Sequence, residues 1–165
     1  MLTYRPLLRE QVPIFASLHY QCWMETYPGL IPQAYLDQMS LEKNIARFDA
    51  LYDLIGAYQY LVYEDEKPVG LFDISPAREQ VEDCLSEVQG LYLSKASHGK
   101  GIGRAIITYV QEVLRARKEH AFYLWCLQSN PTVHFYEHIG GQIVTSREVD
   151  LSGVNLTEVC FVFRF

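Results

Sequence analysis

A run of seven residues, His98-Gly99-Lys100-Gly101-Ile102-Gly103-Arg104, constrains the fold of this chain more than any other segment. It follows an apolar stretch, residues 88–93, and it begins a stripe of apolar residues at helical spacing that extends to position 117. Glycines let the backbone come close to an anion, and the free N–H groups and positive dipole end of a helix start attract that anion. The order of strand, glycine-rich turn and helix therefore predicts a binding site for a phosphorylated ligand.

The composition predicts one folded domain, residues 1–165, since 49% of the residues are hydrophobic and 13% are aromatic. No apolar run is long enough to span a membrane, and the N-terminal residues lack the apolar core of a signal peptide. The four cysteines are widely spaced and no Cys/His cluster is present. This pattern predicts reduced core thiols in a cytoplasmic protein and no structural metal.

The net charge of −6 argues against a nucleic-acid binder, but the charge is unevenly distributed. Residues 95–118 contain six positive side chains and one negative, a net charge of +5, which leaves −11 for the remainder. A local basic segment on an acidic protein suits a small polyanion, and the acidic remainder suits a cationic co-substrate. For Arg115, Arg117 and Lys118 the alternative is simple pairing with the negative end of a helix dipole.

Hydrophobic periodicity predicts an α+β fold, with a mainly antiparallel twisted sheet of six or seven strands flanked by about four helices. One parallel crossover is expected at the glycine loop. The predicted strands cover residues 2–7, 58–63, 68–74, 85–93, 121–127, 142–149 and 156–165, and residues 75–83 are expected to form a loop. The predicted helices cover residues 9–27, 41–54, 101–117 and 131–139, and a further helix is expected to begin at Pro32.

Two familiar phosphate-binding motifs do not match the glycine run. The P-loop pattern requires Ser or Thr after Gly-Lys, where this chain has Gly101. The dinucleotide-binding fingerprint requires a third glycine where this chain has Arg104, and the acidic residue expected further along is also absent. The ligand is therefore expected to differ from the ligands of these two motifs.

Residues 91–103 resemble the acyl-coenzyme A loop of the GCN5-related N-acetyltransferases, the GNAT family. The family pattern is Gln or Arg, two residues, Gly, one residue, and then Gly or Ala, and its positions fall on His98, Gly101 and Gly103. The family usually has Gln or Arg where this chain has His98. Because a bound pyrophosphate would favour a charged imidazole, the affinity for the cofactor is expected to depend on pH.

A second stretch strengthens this resemblance. Asn130 and residues 135–140, Phe-Tyr-Glu-His-Ile-Gly, are similar to the family's second motif, and segments 4–6 and 23–32 look like its N-terminal region. Two motifs in the right order are more specific than one glycine loop. The resemblance implies a GNAT-like fold and transfer of an acetyl group from acetyl-coenzyme A to a primary amine, by direct attack in a ternary complex and without a metal.

The resemblance also assigns residues to the cofactor. It implies that the glycine loop holds the pyrophosphate through backbone N–H groups, that a strand end pairs with the pantetheine arm, and that the N–H of Leu93 donates to the thioester oxygen. An asparagine at the start of the next helix would contact the cofactor, although helix capping alone is an alternative role for it. The expected cofactor-binding residues are Leu91, Tyr92, Leu93, His98, Gly99, Lys100, Gly101, Ile102, Gly103, Arg104 and Asn130.

Two residues are expected to carry the proton transfers. Tyr136 matches the family's candidate general acid, which protonates the departing thiolate. Glu87, near the start of the strand that leads to the glycine loop, is the candidate general base, and an exposed position on a polar strand face is the alternative. Weaker base candidates are Asp73, then His134 and His138, whereas His19 is expected to be a packed core histidine and Cys126 an inert core thiol.

The acceptor is expected to be a small-molecule or peptide amine, with no role for nucleic acid or a membrane, and the chain is compatible with a homodimer. Aromatic residues such as Trp23, Tyr35 and Phe48, with acidic residues around them, predict a pocket for an amine with an apolar portion, and ordinary helix packing is the alternative. The acidic residues in question are Glu25, Asp37, Asp49 and Asp53. A non-catalytic acyl-coenzyme A sensor and a nucleotide-binding regulatory module remain as other functions.

Overall fold

The computed structural model describes all 165 residues and contains nine β-strands and five α-helices. The strands are β1 (Leu2–Pro6), β2 (Gln59–Glu64), β3 (Lys67–Asp73), β4 (Ser75–Pro76), β5 (Ser86–Glu87), β6 (Leu91–Leu93), β7 (Ala121–Leu127), β8 (Gln142–Leu151) and β9 (Val154–Arg164). The helices are α1 (Val12–Thr26), α2 (Gln33–Asp37), α3 (Leu41–Ile55), α4 (Ile102–Ala116) and α5 (Thr132–His138). None of these helices combines the length and the apolar character that crossing a membrane requires.

The strands form two sheets rather than one. The first has the order β1-β2-β3-β6 and is antiparallel throughout, and the second has the order β4-β5-β7-β9-β8. Within the second sheet only β5 and β7 run parallel, and α4 lies in the connection between them. The α+β class and the parallel crossover after the glycine loop are therefore confirmed. Seven strands have three or more residues and β4 and β5 are shorter, while the fifth helix, α2, begins directly after Pro32 as predicted.

The strand predicted over residues 85–93 is broken at residues 88–90, between β5 and β6. Before the break, the N–H of Val88 donates to the carbonyl of Tyr123 on β7, 3.0 Å away. After the break, the carbonyl of Gly90 accepts from the N–H of Asp73 on β3, 3.2 Å away. The chain thus changes partner from the second sheet to the first, and β6 and β7 diverge to leave a cleft.

The segment predicted as a loop over residues 75–83 begins instead with β4. Ser75 lies opposite Glu87 in the antiparallel pair that β4 forms with β5. The alternation of apolar and polar residues that indicates a strand cannot be recognised here, because β4 and β5 have only two residues each. This short pair brings the end of β3 and the start of the broken strand together.

Alternation along β2 and β3 places core side chains on both faces of the first sheet. Val62 and Phe72 pack in the cluster that contains the apolar side of α4, whereas Leu61 and Leu71 pack with α1 and α3. Burying a side chain of this size contributes about 1.5–3 kcal/mol to stability. Helices therefore cover both faces of the first sheet, and a cleft opens where the two sheets part.

Candidate functional site

A cleft of about 620 Å³ lies between the diverging strands β6 and β7, with the start of α4 at one end and α5 along one wall. Ten of the eleven residues expected to bind the cofactor line this cleft. They are Leu91, Tyr92, Leu93, His98, Gly99, Gly101, Ile102, Gly103, Arg104 and Asn130. Two segments that lie 26 or more residues apart in sequence therefore meet around one space, as the two motifs predict.

Lys100 is the exception among the expected cofactor-binding residues. Its ammonium group forms an ion pair with Glu64 on β2, at 3.1 Å, and the residue does not line the cleft. Its backbone N–H remains part of the glycine loop, but its charge is directed elsewhere. Arg104, which lines the cleft and has no carboxylate partner, is the cation that the loop offers to an anion.

The start of α4 has the geometry of an anion site. Gly101 adopts a left-handed conformation with φ of 78°, which a glycine reaches without steric cost. The first intrahelical bond is the one that the N–H of Ala105 donates to the carbonyl of Gly101 (3.1 Å), so the N–H groups of residues 102–104 have no helical acceptor. Gly103 lies against α5, since a Cβ atom there would be 2.9 Å from the ring of Phe135.

Strand β6 presents free backbone groups to the cleft. The N–H of Ser94 donates to the carbonyl of Val69 on β3, at 2.9 Å. Hydrogen-bonding direction alternates along an antiparallel strand, so the backbone groups of Leu91 and Leu93 point away from β3, toward the cleft. These are the groups that an extended ligand can pair with, much as a further strand would.

His98 is bound to this strand. Its Nε2 atom donates to the carbonyl oxygen of Leu93 at 3.0 Å. The imidazole therefore folds back from the glycine loop onto the end of β6. One of the two carbonyl groups that face the cleft already has a partner within the protein, while the N–H of Leu93 remains free.

Tyr136 lies in the wall of the cleft, 6% exposed, where its ring packs against Phe135 and Phe161. Burial raises the pKa of its hydroxyl above the ordinary value, so the group keeps its proton at all physiological pH values. A protonated phenol that faces a cleft can donate a proton or a hydrogen bond. This is the property required of a general acid.

Asn130 precedes α5 and also lines the cleft. Its Oδ1 atom accepts from the N–H of Thr132 at 3.0 Å, which satisfies one of the free donors at the helix start. Its amide nitrogen makes no hydrogen bond within the protein and is available to a ligand. The capping role and the ligand-binding role are therefore compatible in one side chain.

Glu87 is buried, at 1% exposed, so its interpretation as an exposed strand residue is wrong. Its Oε1 atom accepts from Nη2 of Arg78 at 2.5 Å, and its Oε2 atom accepts from Nε of Arg78 at 3.0 Å and from the hydroxyl of Tyr123 at 2.9 Å. The backbone N–H of Arg78 is a fourth and longer contact, 3.4 Å from Oε2, so both oxygen atoms of Glu87 have partners within the protein. Glu87 lines the cleft, but its carboxylate is already engaged by Arg78 and Tyr123.

Asp73 lies at the end of β3 beside the strand break, 8% exposed. Its Oδ1 atom accepts from the N–H of Gly90 at 2.7 Å, and its Oδ2 atom accepts from the hydroxyl of Ser75. Burial raises the pKa of this carboxyl group to about 7, although these hydrogen bonds oppose the shift. Asp73 can therefore exchange a proton near neutral pH.

A second cavity of about 380 Å³ lies between the first sheet and helices α1 and α3. Asp73 and Phe72 contribute to its floor, and aromatic side chains of α1 contribute to its walls. The two cavities share four lining residues, Trp23, Gln89, Gly90 and Tyr92. They therefore meet at the strand break, next to Asp73.

The remaining base candidates differ in position. His138 lines the cleft, whereas the side chain of His134 is 85% exposed and lies 3.5 Å from Glu137. His19 is buried and lines the second cavity, where its Nδ1 atom accepts from the amide of Asn44 at 3.2 Å. Burial lowers the pKa of His19 to about 4, so the ring is neutral at pH 7.

Cys126 lines the cleft, which its place in an apolar strand did not suggest. Burial raises the pKa of its thiol to about 12, so the nucleophilic thiolate is absent at neutral pH. All four cysteines are free and buried. No three His, Cys, Asp or Glu side chains come together in an arrangement that could hold a metal ion.

The charges around the second cavity differ from those expected from the sequence. Asp49 and Asp53 turn away from it and pair with Arg9 at 3.2 and 2.6 Å on the protein surface. The cations Lys43 and Arg47 of α3 line the cavity instead. Helical spacing could have indicated this, because positions 43 and 47 share a helix face with position 44, which is buried.

Comparison of the chain with known proteins identifies the family to which it belongs. A model of the acetyltransferase (GNAT) family matches residues 19–141, which include the glycine loop and the Asn130 region. The chain belongs to the GNAT acetyltransferase family. The acetyltransferase is 27% identical over 161 residues to the uncharacterized N-acetyltransferase YuaI of Bacillus subtilis, with 96% of this chain and 91% of that protein covered.

Solved structures share the fold of this acetyltransferase. One is PaiA N-acetyltransferase from Thermoplasma acidophilum in complex with coenzyme A, with a TM-score of 0.72, 14% identity and coverage of 100% of this chain and 99% of that one. Another is the protein YncA of Salmonella typhimurium with its cofactor acetyl-CoA, with a TM-score of 0.68, 15% identity and coverage of 99% of this chain and 93% of that one. The two-sheet architecture with a cleft between β6 and β7 is thus the GNAT fold.

Proposed function

We propose that this protein transfers an acetyl group from acetyl-coenzyme A to a primary amine by direct attack in a ternary complex. The observation that carries the proposal is the junction of the two cavities, which share Trp23, Gln89, Gly90 and Tyr92. A donor in the cleft and an acceptor in the second cavity would meet at this junction. The acetyl group could then pass between them without first being attached to the protein.

The cleft has the groups that acetyl-coenzyme A requires. Free N–H groups at residues 102–104 and the unpaired Arg104 suit the pyrophosphate, and the free backbone groups of β6 suit the amide-containing pantetheine arm. The relatives solved with coenzyme A or acetyl-CoA support this choice of ligand. When bound, the co-substrate supplies a thioester as the acyl donor.

A backbone N–H of β6 would polarise the thioester carbonyl. The junction of the cavities lies at Gly90, and the N–H of Leu91 is one residue from it, whereas the N–H of Leu93 lies nearer the glycine loop. We therefore assign the thioester oxygen to Leu91 and a contact with the pantetheine arm to Leu93. This differs from the expectation from the sequence, in which the N–H of Leu93 donates to the thioester oxygen.

The attacking amine is protonated in water near neutral pH and must lose a proton before it can attack. Asp73 suits this role because it lies at the junction, lines the acceptor cavity and has a pKa of about 7. Glu87 is the alternative, but its carboxylate is already held by Arg78 and Tyr123. The contacts favour Asp73 as base and a structural role for Glu87.

Tyr136 is assigned as the general acid. Its protonated hydroxyl faces the cleft that would hold the departing thiol. The hydroxyl makes no hydrogen bond with another protein group, so it is free to donate to the sulfur atom. Its proton would neutralise the coenzyme A thiolate as the bond from sulfur to the acetyl carbon breaks. An acyl-cysteine route through Cys126 is disfavoured, because its thiol keeps its proton.

The proposal is tested by mixing the protein with acetyl-coenzyme A and a panel of primary amines and measuring free thiol over time. We expect amine-dependent thiol release. Titrations with acetyl-coenzyme A, ATP and NAD provide the second measurement. Of these three ligands, we expect only acetyl-coenzyme A to bind tightly. Binding without thiol release for any amine would favour an acyl-coenzyme A sensor, and preference for ATP or NAD would favour a nucleotide-binding module.

A further inference from the structure

The second cavity has an uneven distribution of charge. Its only carboxylate is Asp73, which is buried at the junction, and its two cations, Lys43 and Arg47, lie on α3, where both residues are exposed. The aromatic rings of Trp23 and Phe48 also line this cavity. A ligand that fills this space would meet a buried carboxylate, apolar surface and positive charge.

The two cations lack carboxylate partners. The ammonium group of Lys43 donates only to the carbonyl of Gln38 at 3.3 Å, and the guanidinium of Arg47 lies over the ring of Phe48, 5.2 Å from its centre. Five other arginines of the chain form ion pairs, namely Arg5, Arg9, Arg78, Arg147 and Arg164. Arg47 is thus a free cation that lines a cavity, as Arg104 is in the cleft.

Two further donors in this cavity have no acceptor. The amide of Asn44 donates to the carbonyl of Ala16 at 2.7 Å and also contacts Nδ1 of His19, which must therefore accept and carry its proton on Nε2. Nε2 of His19 makes no hydrogen bond within the protein. The indole N–H of Trp23 is buried and has no partner either, and leaving such a donor unpaired costs about 1–3 kcal/mol.

We infer that the acceptor is an amine that also carries a carboxylate, with the amine at Asp73 and the carboxylate held by Arg47 and Lys43. This rests on the proposed acetyl transfer and narrows its substrate class from primary amines in general to amino acids and similar small amino-carboxylic acids. A carboxylate supplies the acceptors that the unpaired donors lack, and charge-assisted bonds to Arg are strong enough to dominate selection. An amine without an anionic group would leave Arg47 and Lys43 unused.

The inference is tested by calorimetric titration into the full-length protein saturated with coenzyme A. Each ligand is compared with its own amide at a pH where both amines are protonated, so that the pair differs in charge at the carboxyl group alone. Alanine, leucine, phenylalanine and tyrosine provide four such pairs. We expect at least one acid to bind about tenfold or more tightly than its amide.

Variants assign this preference to the cavity. Arg47→Gln should reduce the preference for that acid, because only Lys43 then remains to hold the carboxylate, and leave the affinity for the amide unchanged. Arg117→Gln makes the same change in charge at an exposed residue that lines neither cavity, and it should keep the preference. Equal affinity for acids and amides, or an undiminished preference in Arg47→Gln, would overturn the inference.

The outcome can be separated from that of the proposed transfer. If the acids bind with this preference and no thiol is released with any amine, the second cavity stands as a binding site for amino-carboxylic acids and the transfer proposal fails. If thiol is released as readily with amides and simple amines as with acids, the transfer stands and the acceptor assignment fails.

Discussion

The Oδ1 atom of Asp73 accepts a hydrogen bond from the backbone N–H of Gly90 at 2.7 Å. This contact joins the end of β3 to the break between β5 and β6, where the cleft and the second cavity meet. A titratable carboxylate is thereby held beside the point at which a donor and an acceptor would react. The strand break creates both the cleft and the position of this group.

The first prediction concerns the pH dependence of acetyl transfer. Since the base must be deprotonated, kcat/KM should rise with pH through about 7, the pKa of Asp73, and then level off. Asp73→Asn should lower turnover by about 10²–10⁴-fold and remove the rising limb. The measurement is a pH–rate profile with two acceptors whose amines differ in pKa, so that titration of the acceptor can be separated from that of the enzyme.

Glu87→Gln is the matched comparison for this profile. It makes the same change from carboxylate to amide, and we expect it to keep the rising limb while stability falls by about 1–3 kcal/mol through loss of the pairing with Arg78. A rising limb that survives in Asp73→Asn and disappears in Glu87→Gln would assign the base to Glu87 instead.

The second prediction concerns stability. The folded protein raises the pKa of Asp73 from an ordinary 3.8 to about 7, so it favours the neutral form. The neutral carboxyl group therefore contributes to the free energy of unfolding, and this contribution is fully present below the ordinary pKa and is lost as pH rises through about 7. Asp73→Asn has no such group to titrate. The difference in free energy of unfolding between this variant and wild type should therefore shift in favour of the variant by on the order of a few kcal/mol from pH 4 to pH 7, and should stay constant above pH 7. Urea unfolding at several pH values measures this, and a constant difference would contradict it.

The third prediction concerns the general acid. Tyr136→Phe removes only the hydroxyl group, so it should lower kcat by about 10²-fold or more and leave the affinity for acetyl-coenzyme A nearly unchanged. Tyr109→Phe is the control, because Tyr109 lies on α4 and lines neither cavity. Steady-state kinetics and acetyl-coenzyme A titration measure both quantities. Wild-type turnover in Tyr136→Phe would remove this residue from the mechanism.

The fourth prediction concerns His98. Its bond to the carbonyl of Leu93 can be donated by the neutral and the charged ring alike, so it supports the loop without a change of protonation. His98→Ala should weaken acetyl-coenzyme A binding at every pH, and His98→Gln, whose amide can donate to the same carbonyl, should restore it. If instead wild-type affinity falls with rising pH and His98→Gln abolishes that dependence, the imidazolium charge is what binds the phosphate, as the sequence alone suggested.

The parts of the site that follow from local patterns were predictable. The turn at Gly101 and the position of Tyr136 on a short helix depend on residues adjacent in sequence, and both lie where the sequence predicts a turn and a helix. The family assignment and the α+β class followed from the same short stretches. Such features need no knowledge of the partner strands.

The parts that depend on strand pairing were not predictable. The break at residues 88–90 results from competition between β3 and β7 for one strand, and a glycine at position 90 was its only sign. The burial of Glu87 depends on its ion pair with Arg78, which follows β4, and nothing in the sequence indicated this contact, so the alternative of an exposed strand residue stayed open. The ranking of Glu87 above Asp73 rested on sequence position, whereas burial and hydrogen bonds distinguish the two.

The most direct test of the central claim is to follow an isotopically labelled acetyl group by mass spectrometry. The protein is incubated with labelled acetyl-coenzyme A and an amine that stimulates thiol release, and the amine, the protein and free acetate are each analysed. We expect the label in the amine, in an amount equal to the thiol released, and none on Cys126 at any time. Label in free acetate alone, or on the protein before it reaches the amine, would contradict direct transfer between the two cavities.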